Sequence, residues 1–95
     1  MEQEIKVIAD TYGVNNQLVK AKEELKECIE AIDEYSSDVT FDIDVLEHLA
    51  EEIADARIML DQIVYLLELG PKVAYWRAFK LMRQMNRMSE QGDSK

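Results

Sequence analysis

Glu24 and Glu27 on one segment, and Glu52 and Asp55 on another, each stand three residues apart, the spacing that puts two side chains on one face of an α-helix. Gln17 and Lys20 extend the first pair at helical spacing, while His48, Met59 and Gln62 flank the second. Each set forms a polar strip along the border of an apolar face. Like charges so spaced repel by a few tenths of a kcal/mol on an open surface, and by more where water is partly excluded. A hard divalent cation offsets that repulsion. Mg²⁺ takes a few carboxylate oxygens and keeps positions open for water or phosphate oxygens, whereas a donor set without His or Cys points away from zinc. The competing reading is an ordinary solvated helix face, because 20 of the 95 residues are acidic.

The elements that must hold these strips follow from periodicity. Residues 2–12 place Ile5, Ile8, Ala9 and Tyr12 at helical spacing, and Gly13 supplies a helix stop. Asn15 or Asn16 is positioned to cap a second helix reaching Tyr35, with Leu18, Ala21, Leu25, Cys28, Ile29 and Ile32 as its apolar face. Ser36 to Phe41 reads as a loop. Asp42 reads as an N-cap, with Phe41 and Leu46 spaced for a hydrophobic staple. The third helix has the spine Leu46, Leu49, Ile53, Ala56, Leu60, Ile63 and Leu67, with enough further apolar residues to suggest burial on several sides. Gly70 is expected to end it and Pro71 to open a fourth helix, carrying Val73, Trp76, Phe79, Met82 and Met85 to about Met88. The five methionines read as core filler.

These elements predict an all-α fold: a four-helix bundle-like protomer over residues 1–90, built around a central antiparallel helix hairpin, with a polar tail at 91–95. In such a hairpin, positions equidistant from the loop lie side by side. Counted from between Asp38 and Val39, Glu27 and Glu24 lie about 11 and 14 residues back, and Glu52 and Asp55 about 13 and 16 forward. At about 1.5 Å rise per residue, all four fall within about two turns of one level.

A chain of 95 residues buries a small share of its surface, so a homo-oligomer, either a dimer or a tetramer, is expected. The net charge of −9 argues against nucleic-acid polymers as partners. The charge is divided: residues 1–69 hold 18 acids, whereas residues 71–88 hold none and carry Lys72, Arg77, Lys80, Arg83 and Arg87. The longest apolar run, Ile63 to Leu67, is far too short for a bilayer, so no membrane association is expected. The single Cys28 excludes an internal disulfide, and no signal-peptide pattern is present, which together suggest the cytoplasm.

The string Glu23-Glu24-Leu25-Lys26-Glu27 followed by Glu52-Ile53-Ala54-Asp55 resembles the EExxE and ExxD pair of the MazG-like all-α NTP pyrophosphatase superfamily. The flanking text from Gln17 to Leu25 and from Glu51 to Leu60 is similar to the short MazG-like proteins of bacteria and phages, and the likeness spans about residues 12–90. The resemblance implies Mg²⁺-dependent hydrolysis, with Mn²⁺ as an alternative ion, of a nucleoside triphosphate to its monophosphate and pyrophosphate. By motif position Glu24, Glu27, Glu52 and Asp55 would hold metal, with Glu23 as a supporting carboxylate. Bound Mg²⁺ would neutralise the triphosphate and activate a water for attack on the α-phosphorus. In the family, a neighbouring subunit commonly helps to build the site.

Lys20, Lys80, Arg83 and Arg87 are candidates for the β and γ phosphates, although the basic fourth helix equally suits simple pairing with the acidic helices. Gln17 and Asn86 are candidates for hydrogen bonding a base edge, and Tyr12, Tyr75 or Trp76 for stacking on it, against the plainer role of core packing. His48, one turn before Glu52, is a candidate phosphate or water contact, against a structural role. Two rivals stand beside this reading: phosphoribosyl-ATP pyrophosphohydrolase, which shares the carboxylate motifs, and a non-enzymatic acidic helical module binding a basic partner. A di-iron bundle is set aside because Val45, not Glu, stands three residues before His48.

Overall fold

The computed structural model describes residues 2–90. Four α-helices follow one another, α1 (Gln3–Tyr12), α2 (Val14–Ser37), α3 (Ile43–Leu66) and α4 (Gly70–Glu90), and no strand occurs among the described residues. The expected tail at 91–95 lies outside them.

Gly13 closes α1 at φ 85°, a left-handed backbone that suits glycine, and its N–H donates to the Ala9 carbonyl at 2.9 Å. Because this one residue redirects the chain, α2 starts at Val14 and no asparagine precedes it to act as a cap. Asn16 instead donates from Nδ2 to the Tyr12 carbonyl at 2.8 Å, satisfying the end of α1. At its far end α2 runs two residues beyond Tyr35, where the Ser36 and Ser37 hydroxyls donate to the carbonyls of Ile32 and Glu34.

Asp38 organises the turn into α3. Its carboxylate accepts from the Thr40 N–H at 3.0 Å, the Thr40 hydroxyl at 2.6 Å and the Asp42 N–H at 2.9 Å, and these bonds hold its pKa below the ordinary value of 3.8. Asp42 caps α3 as expected, accepting from the Asp44 N–H at 2.9 Å. The hydrophobic staple does not form: Phe41 adopts φ 58° and is 91 % exposed, turned outward by the same tight loop. At the other end of α3, Glu68 rather than Gly70 takes the left-handed conformation, and Gly70 opens α4 ahead of Pro71.

The α2 and α3 helices make the principal contact, α1 lies against both, and α4 meets α3 alone. This packing is consistent with a helical bundle. The seam itself is unlike the one that hydrophobicity suggests. On α2 the buried residues are Gln17, Ala21 and Ala31; on α3 they are Glu52, Ala56, Met59 and Gln62. Small side chains at positions 21, 31 and 56 let the two backbones approach, and the polar strips are drawn inward with them.

The larger apolar residues remain outside. Leu46, Ile53, Leu60 and Leu67 of the expected α3 spine are exposed, as are Leu18, Leu25, Ile29 and Ile32 of α2. None of the residues of α4 is buried, so Met82 and Met85 are not core filler; among the described methionines only Met59 is. Trp76 meets Tyr75 and Phe79 edge-on along the open face of α4. Between α1 and α3, the Tyr65 hydroxyl donates to the Asp10 carboxylate at 2.8 Å. No helix among the described residues is long and apolar enough to cross a membrane.

Candidate metal centre

The α2–α3 contact sets Glu24 beside Glu52 and Asp55, with one carboxylate oxygen from each lying within 4.8 Å of the others. Three acids from two helices thus face one small volume. Glu52 is only 6 % exposed, and its Oε2 is buried without a hydrogen-bond partner. Desolvation, together with the negative charges of Glu27, Asp55 and Glu24, pushes the Glu52 carboxyl above its usual range, against a smaller opposing effect of His48. A buried carboxylate oxygen that no N–H or O–H reaches, on a side chain beset by like charge, is an acceptor lacking its donor, and a cation meets that need.

Glu24 is held from one side by Lys20, whose Nζ lies 3.3 Å from Oε1, and this contact raises the Lys20 pKa. Lys20 also reaches Glu23 at 3.9 Å, and Glu23 is not among the three clustered acids. Glu27 is not in that cluster. It borders an adjoining opening with Glu30, Glu34, His48 and Glu52, where its charge acts on Glu52. His48 itself stands 3.8 Å from Glu51.

Gln17 is buried and donates from Nε2 to Gln62 Oε1 at 2.7 Å, one level further along the same contact. Gln62 was legible as part of the second polar strip, yet its pairing was not read from the sequence. The signal was available: the numbers of Gln17 and Gln62, of Glu24 and Asp55, and of Glu27 and Glu52 all add to one total, as cross-helix neighbours at a constant offset must.

Lys80, Arg83, Asn86 and Arg87 lie on α4, which makes no contact with α2, and the structure does not bring them to the carboxylates of their own chain. Among the described residues they form no ion pair with the acidic helices either; Arg83 lies over the Phe79 ring, its guanidinium carbon 5.6 Å from the centroid. Tyr75 and Trp76 lie on the same outlying helix, whereas Tyr12 lines a cavity next to Gln17.

The chain matches no protein-family model, and neither the curated proteins nor the solved structures contain a match to it.

Proposed function

We propose that this chain is a Mg²⁺-dependent nucleoside triphosphate pyrophosphohydrolase of the MazG-like kind, converting a (d)NTP to its monophosphate and pyrophosphate. The observation that carries the reading is the approach of one carboxylate oxygen each from Glu24, Glu52 and Asp55 to within 4.8 Å of one another, on a Glu52 side chain whose Oε2 is buried without a partner. An all-oxygen, all-carboxylate donor set suits Mg²⁺ or Mn²⁺. When bound, such an ion neutralises phosphate charge and lowers the pKa of a coordinated water.

The residues of the chain divide the remaining work. Glu52 and Asp55 from α3 and Glu24 from α2 hold the ion, and Glu27, outside that group of three, adds its negative charge beside Glu52. The antiparallel register of α2 and α3 fixes that meeting, because it rests on backbone packing and not on a mobile loop. Lys20, already beside Glu24, offers its ammonium to a phosphate oxygen, and Glu23 supports it. The uncovered apolar faces of α2, α3 and α4 favour a homodimer or homotetramer. In it, Lys80, Arg83, Asn86 and Arg87 would serve the carboxylates of a neighbouring copy. Such an enzyme would act on the nucleotide pool of the cytoplasm.

Pyrophosphate release from the eight common NTPs and dNTPs, with Mg²⁺ and with Mn²⁺, tests the proposal. Release from at least one of them, lost in Asp55→Asn with helicity intact, is the expected result. A wild-type protein inert towards the whole panel, or an Asp55→Asn protein as active as wild type, would overturn it.

A further inference from the structure

At the end of the α2–α3 contact remote from the turn, two carboxamides meet inside the seam. Gln17 is 6 % exposed and Gln62 only 2 % exposed, and Gln17 Nε2 donates to Gln62 Oε1 at 2.7 Å. Gln62 Nε2 has the Met59 sulfur, at 3.7 Å, as its acceptor. Among the described residues no other side-chain hydrogen bond or ion pair joins α2 to α3.

The surroundings make this pair informative. Ala21, Ala31 and Ala56 let the two backbones approach, but small side chains offer no knob that fits a single hole, so they discriminate weakly between one arrangement of the helices and the next. A buried hydrogen-bonded pair behaves differently. Apolar side chains of the same volume in both positions cost the fold little, whereas a slide or rotation that parts the pair leaves two carboxamides buried and unsatisfied. One polar residue at a core position sets the register of a coiled coil by this means.

Position links the pair to the carboxylates. Gln17 precedes Glu24 by seven residues and Gln62 follows Asp55 by seven, so each glutamine lies two helical turns from a carboxylate of the cluster and on the same stripe of its helix. The turn that Asp38 organises ties the opposite end of the hairpin, about 30 Å of helix from Gln17. A hairpin tied only at its turn splays or rotates most at its open end, and the glutamine pair closes that end near the acids.

Resting on the metal-binding reading, we infer that Gln17 and Gln62 are positioning residues, whose buried hydrogen bond selects the register and rotation of α3 on α2 that bring Glu24 to Glu52 and Asp55. They act through the helices that carry the acids.

The Gln17→Met, Gln62→Met double variant replaces the bond with apolar side chains of similar shape, and Gln17→Leu, Gln62→Leu repeats the exchange with different packing. In a Cys28→Ser background, spin labels on Glu30→Cys of α2 and Asp61→Cys of α3, both exposed positions, report the arrangement of the helices by double electron–electron resonance, in metal-free protein diluted with unlabelled chain. Thermal melts and calorimetric titration with Mg²⁺ follow on the unlabelled proteins. The expected double variant is folded and melts within a few degrees of wild type. Its distance distribution is broadened, or displaced by about 5 Å, the rise of one turn. Its Kd for Mg²⁺ is raised about tenfold or more. Gln17→Met alone should melt below the double variant, because it leaves Gln62 buried without its partner. A folded double variant with the wild-type distance distribution would overturn the inference, as would an altered distribution with wild-type affinity for Mg²⁺. Failure of both double variants to fold would overturn it too, since the pair would then be a requirement of the fold and not a choice between arrangements. Should the wild type bind no Mg²⁺, the metal-binding reading fails on its own, and the distance distributions alone decide whether the pair sets the register.

Discussion

The buried Oε2 of Glu52, without a hydrogen bond and among Glu24, Glu27 and Asp55, sets the energetics of the site. In metal-free protein its ionised form is a cost to folding, and the raised pKa expresses that cost. Glu52→Gln removes the charge while keeping the shape, so the metal-free variant should melt a few degrees above wild type at pH 7 by differential scanning calorimetry. Mg²⁺ should reverse the order: at about 100 times Kd, binding to the native state adds about 2.7 kcal/mol to wild-type stability, and the variant should gain little. That the acids form strips was legible, because a three-residue spacing has one meaning on a helix. Which three of the four close together was not, since it depends on rotamers: Glu24 is drawn by Lys20, and Glu27 turns to the neighbouring opening.

Among the elements, the turn between α2 and α3 governs how the strips meet, and Asp38 governs the turn. Its folded pKa is depressed, so its stabilising contribution is complete above the ordinary value of 3.8 and fades as pH falls through the lower folded value. Asp38→Ala should therefore lower Tm at pH 7, and the gap from wild type should narrow as the solution is acidified below that range. Asp42→Ala, which removes the α3 cap, should cost about 1 kcal/mol in urea denaturation. Helix existence was legible from periodicity and from Asp42. The ends were less so: Gly13 acts as both stop and start, leaving no cap position for Asn15 or Asn16, and serine hydroxyls carry α2 onward to Ser37.

Across the whole molecule, the strongest apolar signal and the packed seam part company. Leu46, Ile53, Leu60 and Leu67 recur every seven residues along α3, as do Leu18, Leu25 and Ile32 along α2, yet all are exposed. Hydrophobic spacing identifies a face to be buried, not the partner that buries it, and within one chain the alanines allowed the polar strips to come together instead. The same distribution leaves the basic, aromatic α4 outlying. Light scattering should give a multiple of the single-chain mass, and Ile53→Lys with Leu60→Lys should reduce it to one chain; a monomeric wild type would show these faces to be uncovered in solution.

The proposed hydrolysis depends on Glu24, Glu52 and Asp55 sharing an ion. Calorimetric titration of Mg²⁺ into wild type and into the Glu52→Gln, Asp55→Asn double variant measures this directly. Saturable binding by wild type that disappears in a folded double variant is the result expected. Equal isotherms for the two proteins, or no heat from either, would contradict it.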